Sequence, residues 1–240
     1  RTDTEATATT TSCITSGTEE SPTPPPTTSA PGIDAGDGVG DKLFPGLGNS
    51  GYDVDHYALD LTIRDPEIVA RATLRAVATT PLDSFSLDLH GLRVVDVEVD
   101  GEPAPYDRAG DELRVNPRTT IPADARFAVR VRYRGRPEPL PDSVIPVANG
   151  WNRSPTGTYV INEPDGARTW FPSNDHPSDK ATYTITLRTR ADIDVVANGD
   201  RASEDRDGKD TVVRYEMREP MATYLVQVAS GSFTYTEPVS

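Results

Sequence analysis

Three histidines, one cysteine and 38 aspartates and glutamates are the groups in this 240-residue chain that could hold a metal or move a proton. A catalytic zinc needs three protein ligands around an open fourth position. The compact peptidase arrangement is His-Glu-x-x-His on one helix face, with the glutamate as general base. Here His56 is followed by Tyr57, His90 by Gly91 and His176 by Pro177, so none begins that motif. No zinc site and no catalytic residue are therefore expected in this chain. Cys13 is a single thiol, able to form neither an internal disulfide nor a multi-cysteine metal site. Gly48-Asn49-Ser50-Gly51 approaches the Gly-x-Ser-x-Gly nucleophile turn, but Tyr52 stands where the last glycine is needed. It reads as a flexible turn. No glycine-rich phosphate loop opens a helix.

One segment is unusual in its density of polar, aromatic and proline residues: Asn162-Glu163-Pro164-Asp165-Gly166-Ala167-Arg168-Thr169-Trp170-Phe171-Pro172-Ser173-Asn174-Asp175-His176-Pro177-Ser178-Asp179-Lys180-Ala181. From residue chemistry alone, Glu163 is a solvated acid beside a proline turn. Asn174-Asp175-His176-Pro177 reads as a turn whose aspartate caps backbone N–H groups. Trp170 and Phe171 read as packing residues, and Asp179 and Lys180 as a local ion pair or a solvated strand start.

The elements that must position this segment follow a period of two. Tyr57, Leu59, Leu61 and Ile63 alternate with polar residues, as do Ile68 to Ala76, Phe85 to Leu89, and Val95 to Val99. Asp100-Gly101 is a hairpin turn signal, with Leu113 and Val115 on a returning strand. Further strands are expected at Phe127 to Tyr133, Tyr183 to Leu187, Val195-Val196, Val212 to Tyr215 and Tyr224 to Val228. Short alternating strands with one apolar face imply antiparallel sheets packed on one another. The 22 prolines and 18 glycines punctuate them as sandwich loops require. The expected fold is an all-β, antiparallel β-sandwich. Residues 136–180 interrupt the rhythm with eight prolines and both tryptophans, Trp151 and Trp170. They read as a rigid loop region on a sheet scaffold.

Residues 1–50 are Thr-, Ser-, Pro- and Gly-rich and have little to bury, so they are expected to be a disordered tail or linker. The folded domain is placed at 51–240. The net charge of −14 argues against nucleic acid, which needs a basic face to displace counterions. No run of eighteen apolar residues is present. Ser12-Cys13 fits the small residue and cysteine of a lipidation signal without the apolar stretch before it, so anchoring at Cys13 stays open.

The long segment resembles the signature near the end of the N-terminal domain of aminopeptidase N-like (gluzincin) zinc metallopeptidases. The matching positions are Glu163, Pro164, Ala167, Arg168, Phe171, Pro172, Asp175, Pro177 and Lys180. Tyr57-Ala58-Leu59-Asp60-Leu61 is similar to that domain's first strand, Phe85-Ser86-Leu87-Asp88-Leu89-His90-Gly91-Leu92 to a further one, and Glu219 to Leu225 to its closing strand. The resemblance covers residues 51–240. It implies a saddle-like β domain that packs on its own thermolysin-like catalytic domain, where the family's zinc is held. It also implies that Glu163 helps bind the free α-amine at the substrate peptide's N-terminus. Ile161 stands where many relatives have Gln, and Asn162 is the candidate to supply an amide instead. The Thr/Ser/Pro spacer from Ser21 to Pro31 is of the kind that holds a folded domain away from a cell surface, and the expected setting is bacterial, extracellular or cell-surface. The competing reading is a stand-alone secreted β-sandwich binding module without enzymatic activity, its contact patch formed by the aromatics from Trp151 to Phe171.

Overall fold

The computed structural model describes residues 33–34, 38–140 and 148–234. The expected tail residues 1–32, with Cys13, lie outside the described residues. The strands, in chain order, are β1 (Ile33–Asp34), β2 (Tyr52–Arg64), β3 (Glu67–Ala78), β4 (Leu82–Asp88), β5 (Arg93–Val99), β6 (Glu102–Pro103), β7 (Tyr106–Ala109), β8 (Glu112–Val115), β9 (Arg126–Gly135), β10 (Gly150–Ser154), β11 (Gly157–Ile161), β12 (Lys180–Arg190), β13 (Asp194–Ala197), β14 (Asp200–Asp207), β15 (Asp210–Ala222) and β16 (Val228–Gly231). Two short 3-10 turns, Ala167–Thr169 and Thr223–Leu225, are the helical elements among the described residues. The chain is all-β, as the alternation predicts.

Eight strands make one large sheet in the order β14-β15-β12-β2-β3-β9-β5-β6. Two four-stranded sheets, β1-β4-β8-β7 and β10-β11-β16-β13, complete the fold. The pairs of the large sheet are antiparallel except β12 with β2, which run parallel, and β1 lies parallel to β4. These two pairs depart from the antiparallel pairing expected throughout, because alternation reports which face a residue takes and not the direction of the neighbouring strand.

Register shows why this pattern closes a core. Tyr215, Ile185, Leu59, Ala72, Val131 and Val97 stand side by side across six strands, and every one is buried. The row beside it is Val213, Leu187, Leu61, Ala70, Tyr133 and Val94. The alanines of β3 leave room for the larger side chains that flank them, so packing density is kept across the row. Tyr57 stacks on Tyr183 at 5.1 Å and meets Phe171 edge-on at 5.8 Å. This contact fixes the 162–179 segment to the large sheet.

β4 is buried on both faces. Phe85 and Leu87 enter the apolar core, while Ser84, Ser86 and Asp88 turn the other way and are buried too. Part of what covers β4 is chain that was expected to be tail. Leu47 and Asn49 are buried, and the Gly38 N–H donates to the Gly48 carbonyl at 2.8 Å. The ordered body therefore begins before Gly51. The anchors are polar rather than apolar, which is why composition missed them: the Asn49 N–H donates to Asn174 Oδ1 at 2.5 Å and its Nδ2 to Asp88 Oδ2 at 3.2 Å.

The end of the chain also differs from expectation. The strand foreseen at Tyr224 to Val228 is instead the end of β15 at Ala222, the 3-10 turn Thr223–Leu225, and β16 beginning at Val228. Pairing of β15 with β12 stops at Lys180↔Ala222, and the turn carries the chain across to another sheet.

Candidate functional site

Glu163 sits two residues beyond the end of β11, and its side chain is exposed. Among the described residues it makes no hydrogen bond and no ion pair. The segment around it is fixed. Asp165 accepts from Asn149 Nδ2 at 2.6 Å through Oδ1 and from the Arg168 guanidinium at 2.8 Å through Oδ2. The Gly166 N–H closes a turn on the Asn162 carbonyl at 2.7 Å. Thr169 Oγ1 donates to the Gly166 carbonyl at 2.7 Å and accepts from the Trp151 N–H at 3.2 Å, tying the segment to β10. Glu163 is thus a free carboxylate on a rigid mount.

Asn162 is placed differently from the expectation that it offers an amide to a substrate. It is buried at 1% exposure, its Oδ1 accepts from Trp170 Nε1 at 3.2 Å, and its Nδ2 donates to the Val226 carbonyl. Both ends of the amide are engaged inside the protein. Asn162 therefore fixes the β11 end behind Glu163 and does not stand beside it.

Asp175 is the backbone cap that the turn pattern suggests. Its Oδ2 accepts from the Arg168 N–H at 3.0 Å and its Oδ1 from the Thr223 hydroxyl at 2.6 Å. Its own N–H donates to Asp88 Oδ2 at 2.8 Å. Asp179 departs from the solvated or ion-paired role foreseen for it. It is buried, takes Asn174 Nδ2 at 2.6 Å and accepts from the Val54 N–H. Burial pushes the Asp175 carboxyl up to about 6 and that of Asp179 up to about 7; it also drives Asp88 well above the ordinary carboxylate range. Asp88 and Asn49 are the positioning residues that the sequence reading missed. Asp88 occupies the polar phase of an alternating strand, which normally means solvent.

Trp151, Trp170 and Phe171 are all buried, with Trp170 and Phe171 in edge-on contact at 4.5 Å. Of the aromatics proposed as the contact patch of a stand-alone module, Trp151, Trp170 and Phe171 are core residues and Tyr159 is exposed. The histidines are dispersed and individually engaged. His56 meets Thr182, His90 meets Asp111, and His176 meets Ser178 and Asp41. Among the described residues no group of three or more His, Cys, Asp or Glu is arranged to hold a metal ion, so they do not fit a zinc.

The Peptidase M1 N-terminal domain family matches residues 53–225, a span holding nearly every strand as well as Glu163. This chain belongs to that family. Solved M1 zinc metallopeptidase structures share its architecture. One, a two-domain enzyme bound to L-tryptophan, superposes with a TM-score of 0.78 at 31% identity, over 81% of this chain and 46% of that one. Another, the M1 zinc metallopeptidase from Deinococcus radiodurans, gives 0.77 at 31% identity over 81% and 45%. Among curated proteins, "Probable aminopeptidase 2" of Sulfurisphaera tokodaii is 24% identical over 185 residues, 75% of this chain and 22% of that protein. "Aminopeptidase M1" of Arabidopsis thaliana is 39% identical over 75 residues, 31% of this chain and 8% of that protein. This M1 N-terminal domain thus spans less than half of the solved enzymes and a quarter or less of the curated relatives it matches.

Proposed function

We propose that this M1 N-terminal domain serves a zinc aminopeptidase by binding the free α-amine of the substrate peptide through Glu163, while the catalytic domain docks beside it. The observation that carries the reading is the state of Glu163: an exposed carboxylate without a partner among the described residues, held on a segment whose Asn162, Asp165, Asp175 and Asp179 side chains are each hydrogen-bonded within the protein. An ammonium is the partner that such a carboxylate lacks, and the charge-assisted hydrogen bond between them is of the strong kind. Asn162, Asp165 and Asp175 hold the mount and leave Glu163 alone to meet the substrate. The zinc belongs to the partner domain in this reading, and the described residues supply none of its ligands.

The docking face is the outer side of the β10-β11-β16-β13 sheet. Tyr159, Ala229 and Val196 stand in register across β11, β16 and β13, with Tyr159 42% exposed and Leu225 near them 44% exposed. β11 runs from this face directly to Glu163, so a domain seated there adjoins the amine site. Burial of Trp151, Trp170 and Phe171 leaves the stand-alone module Tyr159 as the exposed aromatic of its patch.

The test is Glu163→Gln in this domain expressed together with an M1 catalytic domain as one chain. Losing a hydrogen bond to a charged group should remove about 1.5–3 kcal/mol, roughly a ten- to hundredfold fall in kcat/KM on free-amine peptides. Because the amine is held in both ground and transition states, much of the loss should appear in KM. Zinc content should not change. Residual cleavage of an N-acetylated peptide, which has no ammonium, should be indifferent to the substitution. Unchanged kcat/KM on free-amine peptides in a folded variant refutes the role.

A further inference from the structure

We propose that Arg93 and Arg134 form a binding site for a small oxyanion, a phosphate or a carboxylate, at the open edge of the eight-stranded sheet. The proposal starts from a break in a pattern. β9 and β5 are antiparallel neighbours, and their outward side chains pair arginine with acid along the strands. Arg130 on β9 meets Glu98 on β5 at 2.6 Å, and Arg132 meets Asp96 at 2.7 Å. One step further along, Arg134 stands directly opposite Arg93. Where the ladder calls for a third acid, the chain carries a second arginine. Directly opposed like charges on adjacent strands are destabilising, and this pair persists on a chain of net charge −14.

Among the described residues no carboxylate relieves the pair. Both arginines are exposed, and among those residues neither side chain makes a hydrogen bond or an ion pair. On its other side Arg134 faces Val69 of β3, which is 56% exposed. Of the acids on that face, Asp96 is held by Arg132 and Asp60 by Arg71, while Glu67 forms no ion pair with either arginine. Side chains directly opposite in an antiparallel pair share one face, with Cβ atoms about 5 Å apart. Two guanidinium forks can therefore close on one oxyanion from both sides, the geometry in which arginine recognises carboxylate and phosphate.

A second observation lies beside the pair. β6 pairs only with Glu98 and Val99 of β5, so the first half of β5 is an edge. Between that edge and β7, itself the edge of another sheet, runs a shallow cleft of about 400 Å³ that Arg93 lines together with Tyr106 and Arg108. No carboxylate lines it. Arg108 donates to the Leu92 and Leu89 carbonyls, and its buried Nε has no partner. The cleft thus sets a fixed positive charge and a phenol beside Arg93, with Leu92 and Val94 at its apolar side, while Arg134 faces Arg93 from the neighbouring strand.

The test uses the full 240-residue chain and reads the arginine Nε–H resonances during titration with sodium phosphate, sodium acetate and sodium chloride at matched ionic strength. Saturable shifts at Arg93 and Arg134 with phosphate or acetate, and none with chloride, are expected. Tighter phosphate binding assigns the phosphate class, and tighter acetate binding the carboxylate class. Arg93→Glu completes the ladder of acids on β5. It should keep or raise the melting temperature and weaken oxyanion binding at least tenfold. Arg206→Glu, on the far edge strand β14, makes the same change in net charge and should leave binding unchanged. The proposal is overturned if phosphate and acetate shift the two arginines no more than chloride does. It also fails if Arg93→Glu binds like the wild type, or if Arg206→Glu weakens binding equally.

Discussion

Asp88, Asp175 and Asp179 are three buried carboxylates on the mount of Glu163, and their chemistry makes stability depend on pH. Burial raises each above the ordinary aspartate value, Asp175 to about 6 and Asp179 to about 7. The folded state then holds protons that the unfolded chain has released. The stability these groups contribute is full below about pH 4 and is lost as pH rises through 6 and 7. His56 works in the opposite sense. Burial lowers its pKa, so its contribution is present at high pH and is lost on acidification. Asp175→Asn isolates the effect, because an amide can accept from the Arg168 N–H and donate to the Thr223 hydroxyl in the same place. Urea unfolding at about pH 5 and about pH 8 should show the wild type losing stability between them, and the variant losing on the order of 1–3 kcal/mol less. Identical pH slopes in the two proteins would rule out Asp175 as a source. At this scale the sequence was legible where a turn pattern named the residue's local role, as for the capping by Asp175. It was not legible where a polar residue in the solvent phase of a strand was covered by distant chain, as for Asp88 and Asn49. Single-strand periodicity carries no information about a second covering layer.

The 162–179 segment acts as one element although it contains only a single 3-10 turn. Its fit against β10 is close. A Cβ built on Gly166 would lie 2.3 Å from Asn149 Oδ1, 2.7 Å from the Gly150 nitrogen and 2.8 Å from the Asn162 Cα. Two of these contacts are backbone and cannot swing aside. Gly166→Ala should therefore push the segment off β10 and lower stability by about 1–3 kcal/mol, the scale of overpacking. Faster hydrogen exchange should appear at Trp151, whose N–H crosses this contact to Thr169 Oγ1, and at Thr169, whose N–H donates to the Gly166 carbonyl, with little change in the distant β3–β9 ladder. Wild-type exchange at both amides would show that the fit is looser than the geometry says. The long strands β2, β3, β9 and β12 were readable because each keeps one apolar face over many residues. β10 and β11 were not. They lie within the proline-rich stretch 136–180, and their buried apolar residues, Trp151 and Val160, are too few to set a period. Both prolines nearest them fall outside the strands, Pro155 in the hairpin turn and Pro164 past Ile161, so the prolines bound these strands without breaking them.

Across the whole molecule the two broad outward faces differ in kind. The large sheet turns arginine–carboxylate pairs to solvent, including Asp60 with Arg71, Glu98 with Arg130 and Asp96 with Arg132. Such a face is at ease in water. The third sheet instead presents Tyr159, Val196 and Ala229 in one row, with Leu225 near them and no ion pair along the row. Apolar rows of this sort mark surfaces that bind another protein body, and the M1 relatives extend well beyond this domain. The sequence could not show the row, because it is assembled from three strands separated by up to seventy residues of chain. A direct consequence concerns the domain in isolation. At high concentration the purified chain should self-associate and bind a hydrophobic dye. The double substitution Tyr159→Ser and Leu225→Ser should suppress both while leaving stability within about 0.5 kcal/mol per site, as expected of surface positions. Sedimentation and dye fluorescence, read beside thermal unfolding, separate the outcomes. If the wild type is strictly monomeric and dye-silent, the face needs no cover and the docking surface lies elsewhere. If the variant unfolds many degrees earlier, the two side chains belong to the core of the domain and not to its interface. Suppressed association with unchanged melting is the result that a covered face requires, because only there does removing apolar surface alter association without touching the fold.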